Sequence, residues 1–163
     1  MPTRELIEQL KRHEGLGKVL GQRTYVYRCT AGALTVGYGH NLEALPLNSV
    51  AKTCTDWNGS SVTLKGALWL LDLDASRVCE QVASQIPWTS KLDQVRQDVL
   101  CNMAFQMGIA GLRGFTRTLG LVRLGHYRLA SLGMLASLWA RQTPNRAREL
   151  ATQMRTGSYA GDR

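Results

Sequence analysis

The feature that most constrains this chain is the confinement of its strand-forming signal to one short stretch, residues 24–42, of 163. Residues 24–28 (Thr-Tyr-Val-Tyr-Arg) and 34–38 (Leu-Thr-Val-Gly-Tyr) are β-branched and aromatic, and they flank the turn-forming run Cys29 to Ala33. That pattern reads as a β-hairpin. Outside this stretch the ordered segments follow a helical period. Thr3 caps a first helix to about His13, with Leu6, Ile7, Leu10 and Glu14 on one face. Residues 43–62 read as loop. Thr63 caps a long helix through Leu64, Ala67, Leu68, Leu71, Ala75 and Val78 that ends before Pro87. Ser90-x-x-Asp93 reads as a capping box opening a helix broken at Gly108, Gly111 and Gly114. A short helix over Thr116–Leu124 and a longer one over Tyr127–Arg141 follow. Thr143-Pro144 then opens a last helix ending near Gly157. The expectation is an α+β fold forming a single domain over 1–163. It has a β-containing lobe (15–63), a connecting helix (64–85), and a larger helical lobe built from 1–14 and 86–163.

The length is that of about one domain, which needs no metal or disulfide to hold a core. No run approaches 18 apolar residues, so a membrane-spanning helix is excluded. The N-terminal residues carry charge in every turn and lack the apolar core of a secretory signal, so the expectation is a chain that stays in the cytoplasm where it is made. Lys and Arg number 20 against 12 Asp and Glu, a net charge of +8. Such an excess attracts polyanions, whether nucleic acid, anionic lipid or an acidic wall polymer. The four cysteines form no Cys-x-x-Cys and have no histidine at ligand spacing, which argues against zinc. Cys79 and Cys101 lie in apolar periodic segments and read as small buried hydrophobes, while Cys54 lies in a polar loop. Trp69 and Trp139 sit on apolar helix faces and read as core. His13 and His126 have no partner at ligand spacing. No serine has a Gly-x-Ser-x-Gly setting, and Gly37-Tyr38-Gly39 is no dinucleotide fingerprint.

Between Glu14 and Glu43 there is no carboxylate at all. A pair of nearby acids therefore cannot come from the first helix and the hairpin alone. The hairpin offers Cys29 and Thr35 instead. Arg28 adjoins Cys29 and Arg23 is close in sequence; positive charge favours the thiolate, the reactive form. Glu14 ends an apolar stripe, so this acid faces inward, towards a core or cleft.

These segments, read jointly, carry a resemblance. Glu14-Gly15-Leu16, Tyr27-Arg28-Cys29-Thr30-Ala31-Gly32 and Leu34-Thr35-Val36-Gly37-Tyr38-Gly39-His40 closely resemble the active-site region of the phage-type lysozymes, glycoside hydrolase family 24. Asn102 to Gly108, Gly114-Phe115-Thr116, Trp139, Gln142 to Ala147 and Arg155-Thr156-Gly157 resemble its helical-lobe signatures in the same order. The likeness is greatest to the T-even phage branch. It implies a lysozyme-like fold and hydrolysis of the β-1,4 bond between N-acetylmuramic acid and N-acetylglucosamine in peptidoglycan. It also implies a triad in which Glu14 is the general acid, Thr35 positions a water, and Cys29 stands where many members have Asp and some have Cys. Sugar contacts fall on Asn41, Phe105, Thr118 and Gly133. His40 and Asp72 match a pair that ties the hairpin to the connecting helix.

The resemblance further implies an endolysin. It would be a monomer with no cofactor and no metal, with no nucleic-acid partner and no stable membrane insertion. It would be held in the host cytoplasm until a holin releases it to the periplasm and wall. Pairing of Cys29 with Cys54 is a further possibility by analogy with Cys-type relatives. Fourteen residues separate Glu14 from Cys29, more than the family's usual spacer, with the excess at Gly17 to Gln22. Such an insertion is either a looped-out surface segment or a spacer that weakens or abolishes turnover. Two readings compete with the enzyme: an inactive wall- or polyanion-binding module on the same fold, and a nucleic-acid-binding helical protein. Inverting and retaining routes, and a base, nucleophilic or electrostatic role for Cys29, all remain open at this level.

Overall fold

The structure, a computed structural model, describes residues 1–159. The chain is α+β, and its contacts divide it into two compact units, the first ending at Arg77 and the second beginning at Val78.

The first unit opens with α1 (Arg4–Glu14), whose N-cap Thr3 accepts a hydrogen bond from the Leu6 N–H at 3.0 Å. Leu6 and Leu10 are fully buried along its inner stripe. Six short strands follow: β1 (Lys18–Leu20), β2 (Arg23–Tyr25), β3 (Tyr27–Arg28), β4 (Leu34–Val36), β5 (His40–Asn41) and β6 (Ser61–Thr63). They form two antiparallel sheets, β1-β2-β6 and β3-β4-β5. The expected strand 24–28 is thus split at Val26, its halves pairing in different sheets. The expected hairpin survives as β3-β4, with Tyr27 opposite Thr35 and Arg28 opposite Leu34.

The stretch 43–62 is not all loop. Asn48 caps a short helix α2 (Ser49–Cys54), accepting from the Ala51 N–H at 2.9 Å, and β6 begins at Ser61. Nor are Gly17 to Gln22 a loose surface segment. They supply β1 and its tight turn, and β2 sits between β1 and β6 in register Thr24↔Val19 and Thr24↔Val62. Thr24 and Val62 are fully buried. Arg23 fastens the sheet by donating to the Ser61 hydroxyl at 2.7 Å and to the Asp56 carboxylate at 2.9 Å. The unit's core gathers Val36, Val62, Ala67 and Leu70, with Leu16, Val26, Trp57 and Trp69 packed against it.

Helix α3 (Leu64–Gln85) begins where β6 stops, because the Thr63 hydroxyl accepts the Gly66 N–H at 2.9 Å. The boundary between the units falls inside this helix.

In the second unit a 3-10 turn over Pro87–Lys91 precedes α4 (Gln94–Arg113). The N-cap of α4 is Asp93 and not Ser90: the Asp93 carboxylate accepts from the Arg96 N–H at 3.0 Å, while the Ser90 hydroxyl bonds back to Pro87. Helix α4 is interrupted only at Gly108, which takes φ 76°. Then come α5 (Thr116–Arg123), α6 (Tyr127–Leu135), α7 (Leu138–Gln142) and α8 (Pro144–Thr156). The expected helix over 127–141 breaks because the Ser137 hydroxyl caps α7 through the Ala140 N–H. Thr143 does not cap α8; its hydroxyl donates to the Trp139 carbonyl.

Leu100, Met103, Leu112, Met134, Leu150 and Met154 form the fully buried interior of this unit. Trp139 is core as expected, edge-on to Phe115 with ring centroids 6.2 Å apart. Its indole N–H donates to Gln106 at 2.8 Å. The buried Arg146 reaches the Asn102 side chain at 2.9 Å and its carbonyl at 3.2 Å, satisfying a charge that would otherwise be costly inside. The neighbouring Cys79 thiol, and then burial, push the Cys101 thiol far up.

Candidate active site

The chemistry-bearing residues of the first unit converge on the sheet β3-β4-β5. Directly opposed residues in an antiparallel ladder project on the same face. Tyr27 pairs with Thr35, and Thr35 with Asn41, so these three side chains form a row across the sheet. Thr35 is 3% exposed and donates its hydroxyl to the Ala33 carbonyl at 3.0 Å. The same hydroxyl lies near enough to Cys29 to help lower its thiol pKa.

Cys29 closes the β3–β4 turn. Its N–H donates to the Ala33 carbonyl at 3.0 Å, and its carbonyl accepts the Gly32 N–H at 2.8 Å. The turn folds its backbone amides towards the sulfur. The thiol pKa is lowered, first by the Ala33 amide, then by that of Ala31, with smaller help from Thr35 and Gly32. The sequence argument credited Arg28 and Arg23 with this role, and the structure corrects it. Arg28 donates to the Gly32 carbonyl at 2.7 Å and approaches Glu43 at 3.7 Å. Arg23 is engaged by Asp56 and Ser61. Backbone dipoles, not arginines, favour the thiolate. Cys29 and Cys54 are both free thiols.

Glu14 arrives from the C-terminal end of α1 and is half-buried. Its carboxyl lies over the turn between β4 and β5: a Cβ placed on Gly39 would stand 3.1 Å from Glu14 Oε2. Gly39 also adopts φ 78°, a conformation that favours glycine.

Tyr27 links the acid to the thiol. Its phenol pKa is raised, first by burial and then by the negative charges of Glu14 and Cys29. Both groups therefore lie within electrostatic range of one ring. The ring in turn packs so closely on Gly17 that a Cβ there would fall 2.1 Å from Tyr27 Cε1. Tyr27 stands in the motif around Cys29, but its role is not evident from the sequence. The available signal was strand alternation, which puts residues 27 and 29 on one side of the hairpin.

His40, at the start of β5, is 4% exposed and pairs through Nδ1 with Asp74 Oδ2 at 2.7 Å, while Nε2 faces the Leu45 carbonyl at 2.9 Å. Asp72, the expected partner, is exposed. Two helical positions turn a side chain by roughly 200°. Asp74 falls on the buried stripe of α3 with Ala67, Leu70 and Leu71, and Asp72 does not.

The sequence profile of the family described as Phage lysozyme matches residues 13–152. The chain belongs to the phage lysozyme family. That makes it a glycoside hydrolase of the lysozyme type, a family whose substrate is peptidoglycan. It is 29% identical to the pre-baseplate central spike protein Gp5 of Enterobacteria phage T4, over 96% of this chain and 28% of that protein. The chain thus spans well under a third of the spike protein's length. It is also 26% identical to the probable T4-type lysozyme 1 of Dictyostelium discoideum, over 85% of this chain and 89% of the relative. To the probable T4-type lysozyme 2 of the same organism it is 25% identical over the same shares.

The remaining residues expected to contact sugar in this phage lysozyme family member fall as follows. Asn41 is half-buried, and its side-chain oxygen accepts the Glu43 and Ala44 amides at 3.0 Å each, so its amide nitrogen is the part left for a ligand. In the second unit, Thr118 and Gly133 touch across α5 and α6: a Cβ on Gly133 would be 2.8 Å from the Thr118 hydroxyl. They line one groove of about 300 Å³. Phe105, half-buried on α4, is not part of that groove. Among the described residues no helix is long and apolar enough to cross a membrane.

Proposed function

We propose that this chain hydrolyses the β-1,4 bond between N-acetylmuramic acid and N-acetylglucosamine in bacterial peptidoglycan. The observation that carries the reading is the convergence of three groups on the sheet β3-β4-β5: Glu14 over the β4–β5 turn, Cys29 closing the β3–β4 turn, and Thr35 in the row across the strands. In this reading Glu14 donates a proton to the leaving glycosidic oxygen. Thr35 holds the water that ends on the anomeric carbon. Cys29, favoured as thiolate, takes the proton of that water in an inverting route, or bonds to the anomeric carbon in a retaining one. Asn41, Phe105, Thr118 and Gly133 contact the glycan. The setting we infer is host cell lysis by a monomeric endolysin that waits in the host cytoplasm for a holin and then acts on the wall.

The test is clearing of chloroform-treated Gram-negative cells. The parent chain should clear them, and Glu14→Gln should slow the initial rate by roughly 10²- to 10⁴-fold with an unchanged melting temperature. A parent chain that binds the cells without clearing them would instead be an inactive wall-binding module.

The likeness to a baseplate spike protein favours a second setting for the same chemistry, wall cleavage from a virus particle. Recovery of the chain with purified particles, and not in the free lysate, would select it.

A further inference from the structure

Helix α6 turns leucines outward. Ala130, Ser131 and Met134 form its buried face. Leu129, Leu132 and Leu135 lie on the opposite arc and are 54%, 57% and 43% exposed. Leu124 and Leu138, which flank the helix in sequence, are 72% and 63% exposed. The exposed Arg128 lies on the same outward arc, so this face is amphipathic, with leucines around one arginine. Here the three leucines form a ridge. On one flank lies the α6/α8 groove of about 620 Å³, where Arg128 and Arg155 accompany Leu132 and Leu135. On the other flank Arg117 accompanies Leu129 and Leu132.

Charge chooses the occupant. From Val99 to Arg148 the sequence holds seven arginines, of which Arg146 is buried, and the first acid to follow is Glu149 on α8. A second copy of the chain would bring the same arginines against each other. Exposed leucines set among arginines match an anionic bilayer, in which leucines enter the acyl boundary and guanidinium groups reach the lipid phosphates.

We propose that the outward face of α6, on its α6/α8 side, docks this protein on an anionic phospholipid surface through Leu132 and Leu135 with Arg128 and Arg155. The docking is peripheral, and it does not depend on hydrolysis.

Co-sedimentation of the full chain with phosphatidylglycerol vesicles, against phosphatidylcholine vesicles, tests it. Binding should be confined to the anionic vesicles and should weaken as salt screens the arginines. Leu135→Ser and Arg128→Ser, both on the α6/α8 side of the ridge, should lower the partition coefficient. The expected losses are about tenfold for the leucine and about fivefold for the arginine, with unchanged circular dichroism. Glu14→Gln should bind like the parent, which separates this proposal from the hydrolytic one. Equal binding to both vesicle types, or parent-like binding by both folded face variants, would overturn it. So would a concentration-dependent dimer that Leu135→Ser dissolves, since the face would then belong to a second copy.

Discussion

The two small sheets of the first unit share a strand-forming stretch of sequence but are held in different ways. The sheet β3-β4-β5 carries Tyr27, Thr35 and Asn41 in a row, and it is anchored at β5 by the buried His40–Asp74 pair. The sheet β1-β2-β6 carries none of the residues expected to act on substrate. It is fastened by Arg23 to Asp56, whose carboxylate side chain is 77% exposed, and its outer strand β1 is exposed throughout. The residues in excess between Glu14 and Cys29 went into this second sheet. They form β1 and the turn of a hairpin whose other strand, β2, pairs with β6. Extra chain is cheap in a region that can pair its own backbone. It would be expensive in the tight turn that serves the thiol.

The widest separation between the sheets should come from their anchors. Asp74→Ala leaves His40 buried without its carboxylate and should cost about 3 kcal/mol in urea unfolding. Asp72→Ala should stay within about 0.5 kcal/mol of the parent. Arg23→Ala, which removes bonds to a largely exposed partner and to Ser61, should cost about 1 kcal/mol. Equal losses for Asp74→Ala and Arg23→Ala would erase the distinction drawn between the two anchors.

A smaller effect of opposite sign is expected inside the inserted sheet. The Thr24 hydroxyl is buried with no hydrogen-bond partner. Thr24→Val keeps the shape and removes the unsatisfied group, so it should stabilise the chain by roughly 1 kcal/mol. Clearing activity should not change. Destabilisation by this variant would mean that the hydroxyl does find a partner.

How much of this was legible in the sequence follows the same division. The helical half was readable because its apolar period and caps are local: Thr3, Thr63 and Gly157 all act where their spacing places them. The hairpin around Cys29 was readable from its β-branched and aromatic flanks. The strand β1 was not, since Lys18-Val19-Leu20 is too short to show alternation and gains its partner only through β2. Asp74 was mistaken for Asp72 because motif matching counts positions, whereas the pairing depends on which side of α3 is buried. Ser90 and Asp93 were both plausible caps by type, and the 3-10 turn at Pro87 decided between them. The source of the Cys29 acidity was beyond the sequence, because amide direction depends on how the turn closes.

That last point yields the subtlest test. The Cys29 thiol is lowered in the folded chain, so the thiolate is populated at pH values where the unfolded chain still carries the protonated thiol. Alkylation of Cys29 by iodoacetamide, followed site by site by mass spectrometry, should therefore titrate at lower pH in the native protein than in urea. Thr35 is a lesser contributor behind the Ala33 and Ala31 amides. Thr35→Val should move the native curve back towards higher pH by only part of the native–urea gap. If the turn amides were unimportant, Thr35→Val would abolish the whole gap. If the native curve lay at or above the urea curve, the sulfur would not be served by the turn at all. In that case the site sheet would owe its reactivity to something other than backbone geometry, and the contrast with its neighbour would fail at its most specific point.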